Sequence, residues 1–241
     1  MSFLHKMILV VLVVGFHAAI PAGEKDGSGF PKTLLTKCGR LLISEDLARE
    51  PAGVFTAGSL GARKSGWKFF SGRWEFVEGA MKGMQLEADH RAAQVACVFP
   101  FKDAVIQFET RLDGCRQVHF RVQDAIPEHI CRVVIGRTGF SARKDDHDHS
   151  GPDVDVPFGS VALPIAPGEW KTVLVEIKGR EMVATMDGRS IAGEHALLAA
   201  DKQFFDFTVT GESARFRNLR VWEALPNPEW AKNKARLATG K

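Results

Sequence analysis

The densest polar run in the chain is Asp145-Asp146-His147-Asp148-His149-Ser150-Gly151-Pro152-Asp153-Val154-Asp155. Seven of its eleven positions carry a carboxylate or an imidazole. Oxygen-rich loops suit Ca²⁺ or Mn²⁺, and imidazole with carboxylate suits Zn²⁺ or Mn²⁺. Asp145, Asp146 and His147 are the candidate ligands for such a divalent ion. The spacing is not that of an EF-hand, because no glycine stands at the sixth position and no glutamate closes the loop. The plainer reading is an acidic surface loop between two strands.

A second set is Val118-His119-Phe120-Arg121-Val122-Gln123. Side chains alternate across a strand, so Val118, Phe120 and Val122 face one way and His119, Arg121 and Gln123 the other. Arg132 can stand beside them on a neighbouring strand. A sheet face carrying such groups can orient sugar hydroxyls, and it can equally be a solvated surface. Other chemistries lack their signatures. A paired-carboxylate strand of the form Glu-x-Asp-x-x-Glu is absent, and Glu109-Thr-Arg-Leu-Asp113 has the wrong spacing for one strand face. The Gly-x-Ser-x-Gly elbow, phosphate-binding glycine loop and dinucleotide fingerprint are missing too.

The elements that must position these residues are strands. Gly168 to Ile191 reads as two strands joined at Gly179-Arg180, then a turn at Asp187-Gly188 into a third. In that register Val173, Val175 and Ile177 face Met186, Ala184 and Met182, which makes one face apolar. Further strands are expected at 72–77 and 80–85 (turn at Glu78-Gly79), 94–99, 104–112 (turn at Asp113-Gly114), 118–123, 130–136, 140–143, 204–210 and 215–223. Arg217-Asn218 breaks the alternation of the last strand and predicts a β-bulge. Leu41 to Ile43 reads as a short strand, 44–49 as a helical turn, and 50–65 as a long loop. The fold class is all-β: a two-sheet antiparallel sandwich or jelly roll with a short C-terminal helix.

The ends read differently. An apolar run from Met7 to Ala19, preceded by His5-Lys6 and broken by Pro21-Ala22-Gly23, predicts a cleaved signal peptide over 1–22. That run is shorter than the ~20 residues of a spanning helix, so no stable membrane span is expected after cleavage. Residues 23–37 read as a linker, 38–224 as the sandwich, and 225–241 as a short basic helical tail capped by Asn227-Pro228, with Trp230 packing back on the sheets. The predicted location is extracytoplasmic, periplasmic or secreted. Cys38, Cys97, Cys115 and Cys131 would then meet an oxidising compartment, where three disulfide connectivities or buried thiols are open to them. A formal net charge of only +3 makes no case for nucleic acid as a partner.

Several segments in order resemble the 3-keto-disaccharide hydrolase domain family. They are Trp74-Glu-Phe-Val-Glu-Gly-Ala-Met-Lys-Gly83, Lys102 to Glu109, Pro167-Gly-Glu-Trp-Lys-Thr-Val173, Met186-Asp-Gly188 and Arg215-Phe-Arg-Asn-Leu-Arg-Val221. The resemblance spans roughly Leu41 to Glu223 and implies a concanavalin-like jelly roll. It also implies an exported protein acting on a saccharide or glycan, as a hydrolase of (3-keto-)glycosides. The sequence departs from the family where a Ser-Gly-Ile-Phe-like strand is replaced by Gln117-Val-His-Phe-Arg121. His119, Arg121 and Asp146 are the candidate catalytic residues, and Gln123 and Arg132 the candidate substrate-binding ones. The alternative is a non-catalytic carbohydrate-binding or surface-interaction module.

Overall fold

The computed structural model describes residues 29–47, 54–56, 66–126, 128–147 and 150–239, and of 54–56 only the backbone. The expected leader and the first part of the linker, 23–28, lie outside the described residues, as do Asp148, His149 and most of the 50–65 loop. Fourteen strands and one α-helix are present among the described residues.

Two long strands, β7 (Ala104–Gln123) and β14 (Lys202–Pro226), run antiparallel through the middle of the molecule. Each bends halfway, so each belongs to both layers of the sandwich. In the first layer the second half of β7 and the first half of β14 are central. β8 (His129–Gly136), β9 (Gly139–Lys144) and β10 (Val156–Ala162) follow outward beyond β7. β6 (Ala93–Phe101) and β3 (Trp67–Ser71) follow beyond β14. In the second layer the first half of β7 meets β11 (Trp170–Lys178), which continues to β12 (Glu181–Met186) and β13 (Arg189–Glu194). The second half of β14 pairs there with β1 (Thr36–Glu45) and with β5 (Ala80–Met84). β4 (Arg73–Val77) and β2 (Val54–Thr56) lie beyond β5.

The bends explain why the turn expected at Asp113-Gly114 is not a turn. Gly114 and Gly211 have φ of 89° and 98° and fall in the same irregular stretch of the ladder, where Gly211 pairs with Cys115 and Gly114 with Ser213 and the register shifts on both sides. Glycine takes that backbone without a Cβ penalty, so the paired strands cross from one layer to the other without ending. The strands expected at 104–112 and 118–123 are therefore one strand, and so are those at 204–210 and 215–223. The predicted bulge is present: the register slips between Arg217 and Arg220, and Asn218 has φ 53°.

The hairpins follow the pairing read from the sequence, Val173 with Met186, Val175 with Ala184 and Ile177 with Met182. Gly179 has positive φ at the first turn position, and Asp187 and Gly188 both do, as types II′ and I′ require. Two further expectations fail. β1 runs through Thr36–Glu45, and Ser44 and Glu45 extend it where a helical turn was expected. β14 supplies their backbone partners. Val54–Thr56 is a strand inside the expected loop.

The core lies between the layers. Its centre is aromatic: Phe207 stacks on Phe216 at 4.4 Å, meets Phe108 edge-on at 4.9 Å, and Phe108 stacks on Phe120 at 5.4 Å. All four are fully buried and come from β7 and β14, one from each half of each strand. The N-terminal approach is clamped from outside the second layer, where buried Glu176 accepts from the backbone N–H groups of Leu34 and Thr36 at 2.9 and 2.8 Å. The helix α1 (Trp230–Thr239) docks beside this strap. Trp230 Nε1 donates to Glu181 at 2.8 Å, and Asn233 donates to the Leu34 carbonyl at 2.9 Å.

Candidate functional site

On the first layer Val118, Phe120 and Val122 enter the core, and His119, Arg121 and Gln123 face outward. The ladder then fixes who their neighbours are. Asp206, Arg121, Arg132 and Arg143 stand in register across β14, β7, β8 and β9. The next outward row, two residues along, is Thr208, His119, Val134, Ser141 and Ser160, ending on β10. Neighbouring strands are ~4.8 Å apart, so each row places a side chain about every 5 Å across the sheet.

The arginine row rests on two buried carboxylates. Asp206 is wholly inaccessible and accepts from Arg121 Nε at 2.8 Å, from Thr208 Oγ1 at 3.0 Å and from Gln123 Nε2. Asp145 is equally buried and accepts from Arg132 Nε at 2.7 Å and Arg143 Nε at 3.0 Å. Such pairs are satisfied only when the geometry is good, and here each carboxylate has at least two donors. The arginine side chains lie nearer the surface: those of Arg121, Arg132 and Arg143 are 12%, 13% and 33% exposed. Arg143 also reaches Asp155 at 3.3 Å.

His119 sits beside this row, with Nε2 3.2 Å from Gln117 Oε1. Burial, then the charges of Arg132, Arg121 and Arg143, push its imidazole from the ordinary 6.5 to about 4. The ring is therefore neutral at pH 7. Beyond it lies a groove of about 380 Å³, lined by Gln117, Val134, Ser141, Phe140, Ser160 and Val161 among others.

The acidic run is less available than its composition suggests. Buried Lys144 bonds Asp153 and the Val154 carbonyl. Asp153 also accepts the His147 N–H at 2.9 Å, and Asp155 accepts the Asp146 N–H at 2.8 Å. Asp145, Asp146 and His147 do not converge: Asp145 turns under the arginines, and His147 turns to the ends of β7 and β8. His147 Nε2 is 2.7 Å from Asp124 Oδ2, and Nδ1 is 3.2 Å from Glu128 Oε2. These three are the donors, among the described residues, close enough together to share an ion.

The candidates thus fall on one side of the sandwich. Arg121, Arg132, Gln123 and His119 form the face, Asp145 lies beneath it, and His147 and Asp146 stand at its rim. Asp206, Thr208, Arg143, Ser141, Ser160, Asp124 and Glu128 were not singled out in the sequence. One signal was readable: Asp206, Thr208 and Thr210 alternate with Phe205, Phe207 and Val209.

No protein-family model matches the sequence, and no curated protein matches it. Solved structures do. A galectin-like protein of unknown function from Bacillus subtilis aligns with TM-score 0.57 at 12% identity, covering 80% of this chain and 100% of that one. The carbohydrate-binding module CBM66 from Bacillus subtilis aligns with TM-score 0.53 at 14% identity, covering 66% and 96%. The fold is a concanavalin-like jelly roll. A Bacillus licheniformis beta-glucanase shares it, with TM-score 0.52 at 8% identity over 73% of this chain and 99% of that one. Identities this low establish the jelly-roll architecture and no activity. Among the described residues no helix is long and apolar enough to cross a membrane.

Proposed function

We propose that the protein is a saccharide-binding module that takes its ligand on the outer face of β9, β8, β7 and β14. One observation carries this reading: two in-register rows of mostly polar side chains lie side by side on this face, and Ser141 and Ser160 of the second row line a groove. Hydroxyl, amide, imidazole and guanidinium groups supply both donors and acceptors, as a sugar requires. The jelly-roll neighbours include a carbohydrate-binding module and a beta-glucanase, which supports the same reading. Binding is favoured over hydrolysis because the two carboxylates set among the arginines, Asp145 and Asp206, are buried and held by them. A glycosidase pair needs two carboxyl groups facing the glycosidic bond. Location follows from the apolar Met7 to Ala19 run, and the extracytoplasmic assignment belongs to this proposal.

A glycan array with the purified protein, followed by calorimetry on the hits, tests the reading. Saturable binding that His119→Ala weakens at least tenfold is the expected result. Absence of any glycan ligand overturns it.

A second reading is hydrolysis of (3-keto-)glycosides, in line with the family resemblance. The neutral His119 imidazole beside Arg121 favours it, since a neutral imidazole can accept a proton and a guanidinium can hold a developing oxyanion. Asp146 remains its third candidate. Turnover of 3-keto-glycosides, abolished by His119→Ala and reduced by Asp146→Ala, would establish it. Binding without product would remove it. For a divalent ion, the proposed donors move to Asp124, Glu128 and His147. Elemental analysis after dialysis against Mn²⁺ or Ca²⁺ decides: one ion per chain, lost in His147→Ala, is expected, and none refutes it.

A further inference from the structure

We infer that the ligand of this face is an anionic saccharide, whose carboxylate or sulfate groups are read by Arg121, Arg132 and Arg143. The inference rests on the saccharide-binding reading and adds the charge of the ligand. The layering of charge is its basis. The two compensating carboxylates are wholly buried, while all three arginine side chains are partly exposed. A ligand approaching from outside meets the positive layer first. Among the described residues, Asp155 is the surface carboxylate that the row touches, through Arg143.

The geometry of the bonds points the same way. Asp206 and Asp145 engage the arginines through Nε, one of five N–H donors on each guanidinium. Holding Nε fixes the plane of the group and leaves terminal N–H donors for an oxyanion, which arginine binds through two parallel bonds. Arg121 spends one terminal nitrogen near His129 Nε2, at 3.3 Å. At His119, burial first and then the charges of Arg132, Arg121 and Arg143 disfavour a protonated imidazole, in keeping with the layering of charge. An anion is stabilised by the same field. Three cations repeated about every 4.8 Å across adjacent strands match charges borne on successive rings of a chain laid across the strands. The serines and the neutral imidazole of the next row suit ring hydroxyls.

Calorimetry of the full chain with four polymers tests this: polygalacturonate, its fully methyl-esterified form, a sulfated galactan and the unsulfated galactan. At least one anionic polymer is expected to bind ten times or more tighter than its neutral counterpart, with affinity falling as NaCl rises. The two anionic arms separate carboxylate from sulfate recognition. Arg143→Gln, the most exposed member, should lower that affinity about tenfold with an unchanged circular dichroism spectrum. Equal binding of neutral and charged forms overturns the inference and leaves the saccharide reading intact. Binding of no polymer, with other glycans bound on the array, overturns it in the same way. Equal binding of single-stranded DNA also overturns it, because charge alone would then explain the affinity.

Discussion

Burial and three nearby guanidinium groups push the His119 imidazole down to about 4. Between about pH 4 and 6.5 the unfolded chain holds that proton and the folded chain does not. Stability therefore rises with pH through this window, and is lost as pH falls through it. His119→Gln is expected to flatten that part of the stability curve, measured by urea unfolding at pH 4.5 and 7. In the native protein, an imidazole titration followed by NMR should show a midpoint near 4 for His119. A midpoint near 6.5 would mean that the ring is not enclosed by the arginines. Asp206 makes a sharper case. Replacing it with Ala leaves Arg121 partly buried without its partner and removes acceptors from Gln123 and Thr208. A loss of about 3–5 kcal/mol in chemical denaturation is expected. The outward set on β7 was legible because alternation needs only local sequence. Asp206 was not, because its bond to Arg121 depends on pairing two strands 85 positions apart. The acidic run misled for a related reason: buried lysine and arginines, invisible as partners in the sequence, occupy Asp145 and Asp153.

The hairpins of the second layer were readable because turn residues and apolar pairs agree, as at Gly179 and Asp187-Gly188. β10 was missed because Pro157 and Gly159 interrupt its alternation. An edge strand tolerates both, since one side of its backbone needs no partner. The bend in β7 was read as a break because Gly114 usually signals a turn, and the stretch around the bend in β14 was read as a gap between two strands. Only the partner strand shows that the chain continues. Gly211→Ala tests the bend directly. A Cβ there would lie 2.9 Å from the Arg116 nitrogen, in a backbone of φ 98°. A destabilisation of about 1–3 kcal/mol is expected, and thermal unfolding reads it. An unchanged midpoint would mean that the bend does not need glycine.

At the scale of the molecule, the layers also decide the cysteine question left open by the sequence. None of the four is disulfide-bonded. Cys97 and Cys131 lie on one row of the first layer, but β14 and β7 stand between them. Three strand spacings put them roughly 14 Å apart, well beyond the ~7 Å limit for a bridge. Burial pushes the thiols of Cys97, Cys115 and Cys131 up to about 12, 11 and 12. With an aromatic disulfide reagent, these three should stay unreactive in the native protein, and denaturation should release four thiols. Fewer than four would contradict this arrangement.

Of the two strands central to both layers, β14 follows every other described strand in the sequence, beginning at Lys202. Its partners on β7 were synthesised long before it. Until β14 emerges, neither layer has its middle and Phe108 and Phe120 have no Phe207 or Phe216 to pack on. Such distant pairing delays folding, because loop closure precedes its reward. A nascent chain therefore stays open until β14 arrives and then closes in one step. A ribosome-stalled chain ending before Lys202 should be fully protease-sensitive, and one carrying all of β14 beyond the exit tunnel should be resistant.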